Sequence, residues 1–478
     1  MIHYCRIIQL VFISLCLMSA PLFSQDYQPG VLMVKFRPET SQDDVQTRQK
    51  RLQNNQSQFD AINKKWGAVP SEIFIAKSQF NANRSTATPQ FDTPLTVLRF
   101  PETIDVSRII YDYQNLPFIE SVEYNYYLYI SEQDIIVSDQ SYHLWHDSLK
   151  NAPFIDHDRS TIVGVVDTGI DHTHPNLIHS IYTNSDEIPN NRIDDDGNGY
   201  IDDVNGISFL GYALGISPNL NIADLHGHGT HISGIIAAKP NSHDGIWGIN
   251  PSAKVLPIKF MDQDGKGTQL DAAVSILYAV EQGAKVINCS WGYFKKTSVL
   301  EDAIAYAVSR GVIVLSAMGN SNVSFPQYPS GFSSVISIGA LTPLLSRSQY
   351  ANYGAHIDYA TFGDSIYSTL PGGTYGVKSG TSQATAIASG VVSMILSLYP
   401  DMTFFSLSPL LQNTALDIGA VGHDSETGFG LLQVDPVLDN LSVVIPSVNR
   451  ISIDDTREGL SRFLPLWILV AISVLIIL

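Results

Sequence analysis

Cysteine is scarce in this chain, and charged residues are few. The 478 residues include three cysteines, and charged residues make up 15% of them against 44% hydrophobic ones. A chain of this composition can bury well-packed cores, which excludes disorder over most of its length. At this length we expect two folded domains together with shorter segments at the ends.

Positively charged residues are also few. Lys and Arg number 28 against 46 Asp and Glu, which gives a formal net charge of -18 at pH 7. Such a surface repels phosphate backbones, so the composition argues against nucleic acid as a partner. Clustered carboxylates can instead hold cations.

The N-terminus has the pattern of a secretory signal peptide. Residues 1–24 contain one basic side chain, Arg6, then an apolar run over residues 7–18, then the small residues Ser19 and Ala20. This order is typical of a cleaved export signal. An uncleaved N-terminal anchor is the alternative, although the run is short for a membrane span.

Removal of this segment leaves one cysteine in the exported chain. Cys5 and Cys16 lie within it, and Cys289 is the third. A single cysteine cannot form an internal disulfide. We therefore expect the exported protein to depend on core packing and bound metal for its durability.

The chain ends in an apolar tail without charged residues, residues 463–478. As a helix it would reach only about 24 Å, against about 30 Å of hydrocarbon in a bilayer. We interpret it as a candidate membrane anchor or a processed sorting signal rather than a terminal core helix, because the run starts abruptly after Arg462. Residues 441–462 show no strong periodicity and are interpreted as a linker.

Residues 25–140 are predicted to form a small separate domain. Strand and helix patterns alternate along it, with strands over 31–36, 95–100 and 122–129, and helices ending at Trp66 and spanning 106–115. This order indicates a compact α+β sandwich of the ferredoxin-like type.

Residues 141–440 show a different pattern, in which apolar strand-like runs alternate with helical ones. The strand-like runs are 162–166, 255–260, 286–289, 312–317 and 335–338, and helix candidates include 270–282 and 299–309. Buried strands separated by helices predict an α/β fold with a doubly wound, mostly parallel sheet. Ligands bind at the carboxyl ends of the strands in such sheets.

Three short segments carry residues suited to nucleophilic catalysis. Asp167 directly follows a predicted strand, His228 precedes an apolar helix pattern, and Ser382 begins another. Each has an ordinary alternative, since Asp and Ser often cap helices. Together they are more specific, because a serine hydroxyl needs a base and the base needs a carboxylate to fix its tautomer.

The histidine-rich segment around His228 also allows a second interpretation. His226, His228 and His231 are close enough in sequence to suggest zinc. No HExxH arrangement or cysteine ligand accompanies them, and the intervening glycines favour tight backbone packing, so zinc is the weaker interpretation.

The three segments resemble those of the subtilisin-like serine proteases, the subtilases of peptidase family S8. The resemblance spans residues 162–430 and rests on Asp-Thr-Gly-Ile-Asp at 167–171, His-Gly-Thr-His at 228–231 and Gly-Thr-Ser-x-Ala-Thr at 380–385. The order Asp, His, Ser is also that of the family. It implies a serine endopeptidase acting on polypeptides and made as a zymogen. Residues 25–140 would then be an inhibitory propeptide, cut away between about residues 129 and 146.

The resemblance implies roles for four further residues. Asn320 matches the asparagine that binds the oxyanion together with the backbone N–H of Ser382, with an ordinary turn residue as the alternative. Ser290, Trp291 and Gly292 match the edge strand that pairs with the substrate backbone. Trp291 either narrows the groove or belongs to the core.

The chain departs from the family pattern near the serine. Gln383 stands where methionine is usual, Ala386 and Ile387 replace proline and histidine, and Thr361 with Phe362 replaces an Ala-Pro pair. None of these positions is expected to supply a proton or a charge, so we expect altered packing rather than lost activity.

An acidic loop matches the first nine positions of an EF-hand calcium loop. Its candidate ligands at alternate positions are Asp194, Asp196, Asn198, the carbonyl of Tyr200, and Asp202. Asn205 replaces the bidentate glutamate at position twelve, which would weaken binding. We expect a structural Ca²⁺ here, with a solvated acidic turn as the alternative.

Two other functions are compatible with parts of this pattern. An aspartic protease needs two Asp-Thr-Gly carboxylates sharing a proton, and the sequence has one copy. A catalytically silent envelope protein could use the same groove only to bind peptides. We expect a secreted or envelope-attached serine endopeptidase, held at the membrane by the C-terminal tail where that tail is retained.

Overall fold

The structure is a computed structural model, and it describes residues 26–37, 45–73, 95–130, 160–240 and 246–433. The predicted signal peptide, the linker, the apolar tail and the expected propeptide cleavage segment, apart from its first two residues, lie outside these ranges. Those interpretations remain predictions.

The described residues between 26 and 130 form an antiparallel sheet accompanied by two helices. The elements in chain order are β1 (Tyr27–Phe36), α1 (Val45–Trp66), β2 (Val69–Ile73), β3 (Leu95–Arg99), α2 (Val106–Gln114) and β4 (Ile119–Ile130). The four strands lie in the order β2-β3-β1-β4. The sequence patterns indicated all of these elements except β2.

The two faces of this sheet pack into different cores. On β1, Leu32 and Val34 join a cluster with Phe59 of α1, whereas Val31 and Met33 join the large cluster formed by residues beyond 160. This follows from the alternation of side chains along a strand, which sends successive residues to opposite faces. The sheet is therefore buried on both sides.

Residues 160–433 form a three-layered α/β arrangement. Its elements in chain order are β5 (Ile162–Asp167), β6 (Ile207–Ser208), α3 (His228–Ala237), β7 (Lys254–Lys259), β8 (Lys266–Thr268), α4 (Gln269–Glu281), β9 (Val286–Cys289), β10 (Trp291–Gly292), α5 (Ser298–Ser309), β11 (Ile313–Ala317), β12 (Ile336–Leu341), β13 (Tyr359–Phe362), β14 (Ile366–Leu370), β15 (Thr374–Lys378), α6 (Thr381–Leu398) and α7 (Phe404–Thr414).

A seven-stranded sheet in the order β13-β12-β11-β9-β5-β7-β6 runs through the middle, and all its paired strands are parallel. Helices α4 and α5 pack together against it, and α3 and α6 form a second pair. Parallel sheets are covered on both faces in this way, which explains the continuous apolar character of the strands. The sheet strands β6 and β13, the β14–β15 hairpin and α7 were not predicted.

Helix α6 is long and apolar enough to cross a membrane, and it is the one such helix among the residues that the structure describes. All of its residues except the last are buried inside the protein. Its composition therefore reflects its central position in the core. Cys289, at the end of β9, is likewise buried, and burial raises the pKa of its thiol.

Strand β4 joins the two parts of the protein. Tyr129 pairs antiparallel with Lys266 of β8 and with Gly292 of β10, and Ile130 pairs with Trp291. The end of β4 is thus inserted between two short strands beside the large sheet. The N-terminal sheet and the α/β part are connected by backbone hydrogen bonds as well as by side-chain packing.

Candidate active site

Asp167 and His228 form a buried hydrogen-bonded pair. Asp167 is the last residue of β5, and His228 is the first residue of α3. The Nδ1 atom of His228 lies 2.7 Å from Oδ1 of Asp167, and both side chains are fully buried. A carboxylate at this distance favours the tautomer with the proton on Nδ1, which leaves the lone pair on Nε2.

The close approach of α3 to β5 depends on Gly229. A Cβ atom at this position would lie 2.1 Å from the carbonyl oxygen of Gly169. No side chain can be accommodated against a backbone atom at that distance. The glycine in the His-Gly-Thr-His segment is therefore what allows the helix carrying His228 to contact the turn after Asp167.

Ser382 is the second residue of α6, and its hydroxyl is held at the end of a neighbouring strand. Its Oγ donates to the carbonyl oxygen of Ser290 at 2.9 Å, and Oγ of Ser290 donates to the carbonyl oxygen of Ser382 at 3.1 Å. Ser290 directly follows β9. The backbone N–H of Ser382 belongs to the first helical turn, where the helix end carries partial positive charge.

These residues meet at one edge of the sheet. Strands β5 and β9 are parallel neighbours, so Asp167 and Ser290 follow the carboxyl ends of adjacent strands. Helices α3 and α6, which begin with His228 and with Thr381 next to Ser382, pack against each other. The carboxyl edge of a parallel sheet is where such folds bind ligands, as the sequence predicted.

Asn320 lies beside Ser382 through its contacts with Thr381. Its Oδ1 accepts hydrogen bonds from the backbone N–H and the hydroxyl of Thr381 at 3.0 and 2.9 Å. The same hydroxyl accepts the N–H of Gly319 at 3.1 Å. Because two donors point at Oδ1, the amide nitrogen Nδ2 faces the other way as a donor. The side chain of Asn320 therefore has a fixed orientation.

Similarity to known proteins establishes the family of this chain. Residues 158–430, more than half of the chain, match the model of the subtilase family, peptidase S8. This chain belongs to the subtilase family. The predicted enzyme class, a subtilisin-like serine endopeptidase, is confirmed with it.

Several relatives are similar to this subtilase over much of their length. Thermophilic serine proteinase of Bacillus sp. (strain AK1) is 28% identical over 354 residues, which cover 71% of this chain and 81% of the relative. Thermitase of Thermoactinomyces vulgaris is 33% identical over 260 residues, covering 54% and 82% respectively.

The crystal structure of fervidolysin from Fervidobacterium pennivorans is similar in fold, with a TM-score of 0.65 at 23% identity. The match covers 87% of this chain and 62% of fervidolysin, so this subtilase spans less than two thirds of that protein's length. The predicted doubly wound α/β fold is confirmed by this likeness.

The segment Ser290, Trp291, Gly292 forms one wall of a groove that β4 occupies in this subtilase. Trp291 is fully buried, and its indole N–H donates to the carbonyl oxygen of Val166 at 2.7 Å. Its ring also packs edge-to-face on Phe260. Of the two alternatives for Trp291, the structure therefore shows the second: its side chain belongs to the core, and its backbone pairs with β4.

The sequence patterns did not indicate the opposite wall of the groove, β8. This strand has only three residues, Lys266–Thr268, and follows a turn containing Asp262 and Gly265. Ile130 of β4 donates its N–H to the carbonyl oxygen of Gly265 at 3.2 Å. A strand this short carries no periodic signal, so only the pairing with β4 reveals it.

The histidines beside His228 are not grouped as metal ligands among the residues that the structure describes. The ring of His226 lies 6.2 Å from that of His228, and Nε2 of His231 is hydrogen bonded to the carbonyl oxygen of Gly376 at 3.2 Å. Burial lowers the pKa of His231 to about 3, helped by the charge of Lys378. Among the described residues, the group of side chains suited to a metal contains no histidine.

The acidic loop brings together only part of the predicted calcium ligands. Carboxylate oxygens of Asp194, Asp196 and Glu187 all lie within 4.8 Å of one another. Glu187 is buried and precedes the loop, and its carboxylate also accepts the N–H groups of Asp196 and Asp202 at 3.1 and 2.9 Å. The EF-hand pattern could not indicate Glu187, because this residue precedes the first position of the loop, Asp194.

Among the other predicted ligands, Asn198 contacts this group directly, because its backbone N–H donates to carboxylate oxygens of Asp194 and Asp196 at 3.0 and 2.9 Å. The carboxylate of Asp202 accepts the N–H groups of Asn191 and Arg192, each at 3.1 Å. Oδ1 of Asn198 accepts the N–H of Tyr200 at 2.7 Å. The Tyr200 ring packs edge-to-face with its aromatic neighbours Phe209 and Tyr278. Internal hydrogen bonds therefore organise the loop around a group of three carboxylates, and the EF-hand ligand set stays a prediction.

The family departures near Ser382 lie in the core. Gln383, Ala386 and Ile387 are buried. The hydroxyl of Thr361 donates to the carbonyl oxygen of Ala384 at 2.8 Å, so it joins β13 to α6. These side chains affect how α6 packs on the sheet, and the described contacts give them no direct role at Ser382.

We predict that Gly229→Ala lowers kcat about 100-fold, because the added methyl group must push His228 away from Asp167. The control is Gly376→Ala, where the new methyl group would meet the flexible tip of Leu370. Steady-state kinetics and thermal unfolding of both variants test this. Equal activity of the two variants would show that the close approach at Gly229 is not needed.

Proposed function

We propose that this subtilase hydrolyses peptide bonds through an acyl-enzyme, with Ser382 as the nucleophile, His228 as the general base and acid, and Asp167 as the group that orients the histidine. The observation that carries this proposal is the fully buried 2.7 Å contact between His228 Nδ1 and Asp167 Oδ1. A histidine oriented in this way is what activates a serine hydroxyl.

In the first half of the reaction, Ser382 Oγ attacks the scissile carbonyl carbon and its proton passes to Nε2 of His228. The positive imidazolium is stabilised by the carboxylate of Asp167. Collapse of the tetrahedral intermediate breaks the C–N bond, and His228 gives the proton to the leaving amine. Water then attacks the ester, His228 takes its proton, and the acid product leaves with Ser382 Oγ reprotonated.

The developing oxyanion is bound by the backbone N–H of Ser382 and by Nδ2 of Asn320. The helix N-terminus of α6 supports negative charge at this point. The orientation of Asn320, fixed by Thr381, supports its role as a donor that is in place before substrate arrives. A donor held in this way needs no reorganisation during the reaction.

Substrates bind as an extended strand between Ser290–Gly292 on one side and β8 on the other. Strand β4 already makes this type of pairing on both sides. Backbone pairing holds a peptide without reading every side chain, which suits an endopeptidase of polypeptides.

The position of β4 in the groove supports an inhibitory propeptide role for residues 25–140. Two contacts cap helices of the α/β part: Glu123 accepts the N–H of Ser298, the first residue of α5, at 2.9 Å, and Asn125 accepts the N–H of Leu270 in α4 at 3.0 Å. Lys35 adds an ion pair to Asp302 at 2.9 Å. A segment that caps helices and fills the groove both assists folding and blocks substrate until it is cut away.

The enzyme is exported in this proposal, by a signal peptide over residues 1–24, and the tail at 463–478 is the candidate anchor to the membrane. Both assignments rest on the sequence patterns alone.

A calcium ion is the cofactor that the acidic loop would hold. Three carboxylates within 4.8 Å repel one another unless a cation lies between them, and Ca²⁺ prefers such oxygen ligands. Glu187, Asp194 and Asp196 would hold it, and its role would be to stabilise the loop. Asn198, which is hydrogen bonded to Asp194 and Asp196, remains a candidate ligand together with the carbonyl of Tyr200 and with Asp202.

We predict that Ser382→Ala abolishes peptide hydrolysis and labelling by a fluorophosphonate, and that the purified variant keeps residues 25–140 attached. Ser389→Ala is the control, because this serine lies on the same helix and its hydroxyl donates to Oδ1 of Asn288 at 3.0 Å. Labelling assays and intact mass spectrometry measure both outcomes. Labelling of Ser382→Ala contradicts the nucleophile assignment, and full activity of an uncut wild-type chain contradicts the propeptide.

We predict that Asn320→Asp lowers kcat about 100- to 1000-fold with a smaller effect on KM, since it removes an oxyanion donor while keeping the acceptor for Thr381. Asn322→Asp, a neighbouring exposed site, is the matched control. Steady-state kinetics on a chromogenic peptide measure the effect. Unchanged kcat for Asn320→Asp would remove this residue from the oxyanion site.

We predict that Ca²⁺ stabilises the protein and that Glu187→Gln loses this effect. At a calcium concentration 100 times Kd the gain is about 2.7 kcal/mol. Thermal unfolding with calcium and with a chelator, in the Ser382→Ala background to prevent self-digestion, measures it. Asp195→Asn is the control, because this carboxylate lies outside the three-carboxylate group. The same melting temperature with and without calcium would exclude the site.

A further inference from the structure

We infer that Asp224 is the positioning residue of the catalytic site, and that it holds the turn after Asp167 and the start of α3 together so that His228 meets Asp167. The inference rests on the roles proposed above for Asp167, His228 and Ser382. Asp224 belongs to none of the three motif segments, and it lies four residues before His228.

The side chain of Asp224 is buried, with 5% of its surface exposed, and it is surrounded by donors. Its Oδ1 accepts from the hydroxyl of Thr168 at 2.9 Å and from the N–H groups of His226 and Gly227 at 3.0 and 2.7 Å. Its Oδ2 accepts from the N–H and the hydroxyl of Thr230 at 2.8 and 2.7 Å. One carboxylate thus receives hydrogen bonds from two separate chain segments.

These hydrogen bonds connect the chain segments on both sides of the Asp167–His228 contact. Thr168 follows Asp167, and its hydroxyl oxygen also accepts the N–H of Gly229 at 2.9 Å. Gly227 and Gly229 are the residues on either side of His228. The backbone on both sides of the histidine is therefore tied, through Asp224 and Thr168, to the backbone that carries Asp167.

A buried cation lies against the same turn. Lys259 is the last residue of β7, where it pairs in register with Asp167, and its Nζ donates to the carbonyl oxygen of Thr168. It is 5% exposed, and burial lowers the pKa of its ammonium group against the opposing effect of nearby carboxylates, Asp224 first among them. Asp224 and Lys259 thus place opposite charges beside the reacting pair.

Other charged or titratable groups also surround this turn. Asp167 and Asp262 act on Lys259, and the charge of Asp167 acts on the buried thiol of Cys289. On the segment of His228, the ring of His226 lies 6.2 Å away and the ring of His231 is influenced by Lys378. Neutralising Asp224 removes a negative charge near His228, and neutralising Lys259 removes a positive one. The two changes therefore alter the electric field at His228 in opposite directions.

An amide cannot take over the role of Asp224. A carboxylate accepts at both oxygens, whereas an asparagine offers one oxygen and would turn its NH₂ group toward donors such as the N–H of Thr230. Buried donors that lose their acceptor are costly, so the turn must rearrange. Glutamate keeps the charge but moves the oxygens by one methylene group.

The test compares Asp224→Asn, Asp224→Glu and Lys259→Met with the wild type. kcat and KM are measured on one peptide substrate, and the pH dependence of kcat/KM is followed through its acid limb, which reports protonation of the histidine base. Asp424→Asn is the control, since Asp424 also accepts several backbone N–H groups but in a C-terminal loop without hydrogen bonds to Asp167 or His228.

We expect Asp224→Asn to lower kcat about 100-fold, as a misplaced catalytic group does, with little change in KM. Removing this negative charge disfavours the imidazolium, so the acid limb moves to lower pH. Lys259→Met removes a positive charge and moves the limb to higher pH. We expect Asp224→Glu to have a lower kcat than the wild type, with the acid limb of its pH profile unchanged because the charge is kept. Asp424→Asn changes thermal stability alone.

The inference is overturned if Asp224→Asn and Asp424→Asn behave alike, or if Asp224→Asn and Lys259→Met leave the acid limb in place. If Asp224→Asn fails to fold, two results still test the inference. These are the shift of the acid limb to higher pH in Lys259→Met and the lower kcat of Asp224→Glu. Failure of the proposed function would look different, because the wild type itself would then neither cleave peptides nor react with a fluorophosphonate.

Discussion

The organisation of this subtilase depends on one buried hydrogen bond, between Nδ1 of His228 and Oδ1 of Asp167. It joins the end of a central strand to the beginning of a helix, in an environment without solvent. A charged or polar pair so deeply buried is stable only if neighbouring groups satisfy its remaining requirements. The close contact at Gly229 and the hydrogen bonds around Thr168 are the structural consequences of that requirement.

The parallel sheet is the second feature on which the site depends, because it brings separate chain segments to one edge. Asp167 and Ser290 follow adjacent strands, and Ser382 is fixed to Ser290 from a helix about 90 residues further along the chain. Parallel connections make such convergence natural, since every strand ends on the same side. The site is therefore a property of the topology as much as of the motifs.

The N-terminal sheet is bound to the α/β part by three kinds of interaction at once. Alternate side chains of β1 fill the shared core, the acceptor side chains of Glu123 and Asn125 cap α5 and α4, and the end of β4 is hydrogen bonded on both edges. Each contact satisfies groups that the α/β part would otherwise leave exposed at helix ends and strand edges. These contacts are the structural basis of the propeptide role proposed for this domain.

The sequence by itself determined the fold class, most strands and helices, and the segments that carry Asp167, His228 and Ser382, because periodicity and short motifs are local signals. The tertiary structure decided what depends on distant pairing. It put the Trp291 side chain in the core, grouped Glu187 with Asp194 and Asp196, and revealed β8 through its pairing with β4. It also gave Asp224 its five donors. The position of Trp291, the strand β8 and the bond from Thr168 to Asp224 arise only when remote segments meet, so no local pattern indicates them. Glu187 is near in sequence but lies outside the nine-residue pattern of the loop.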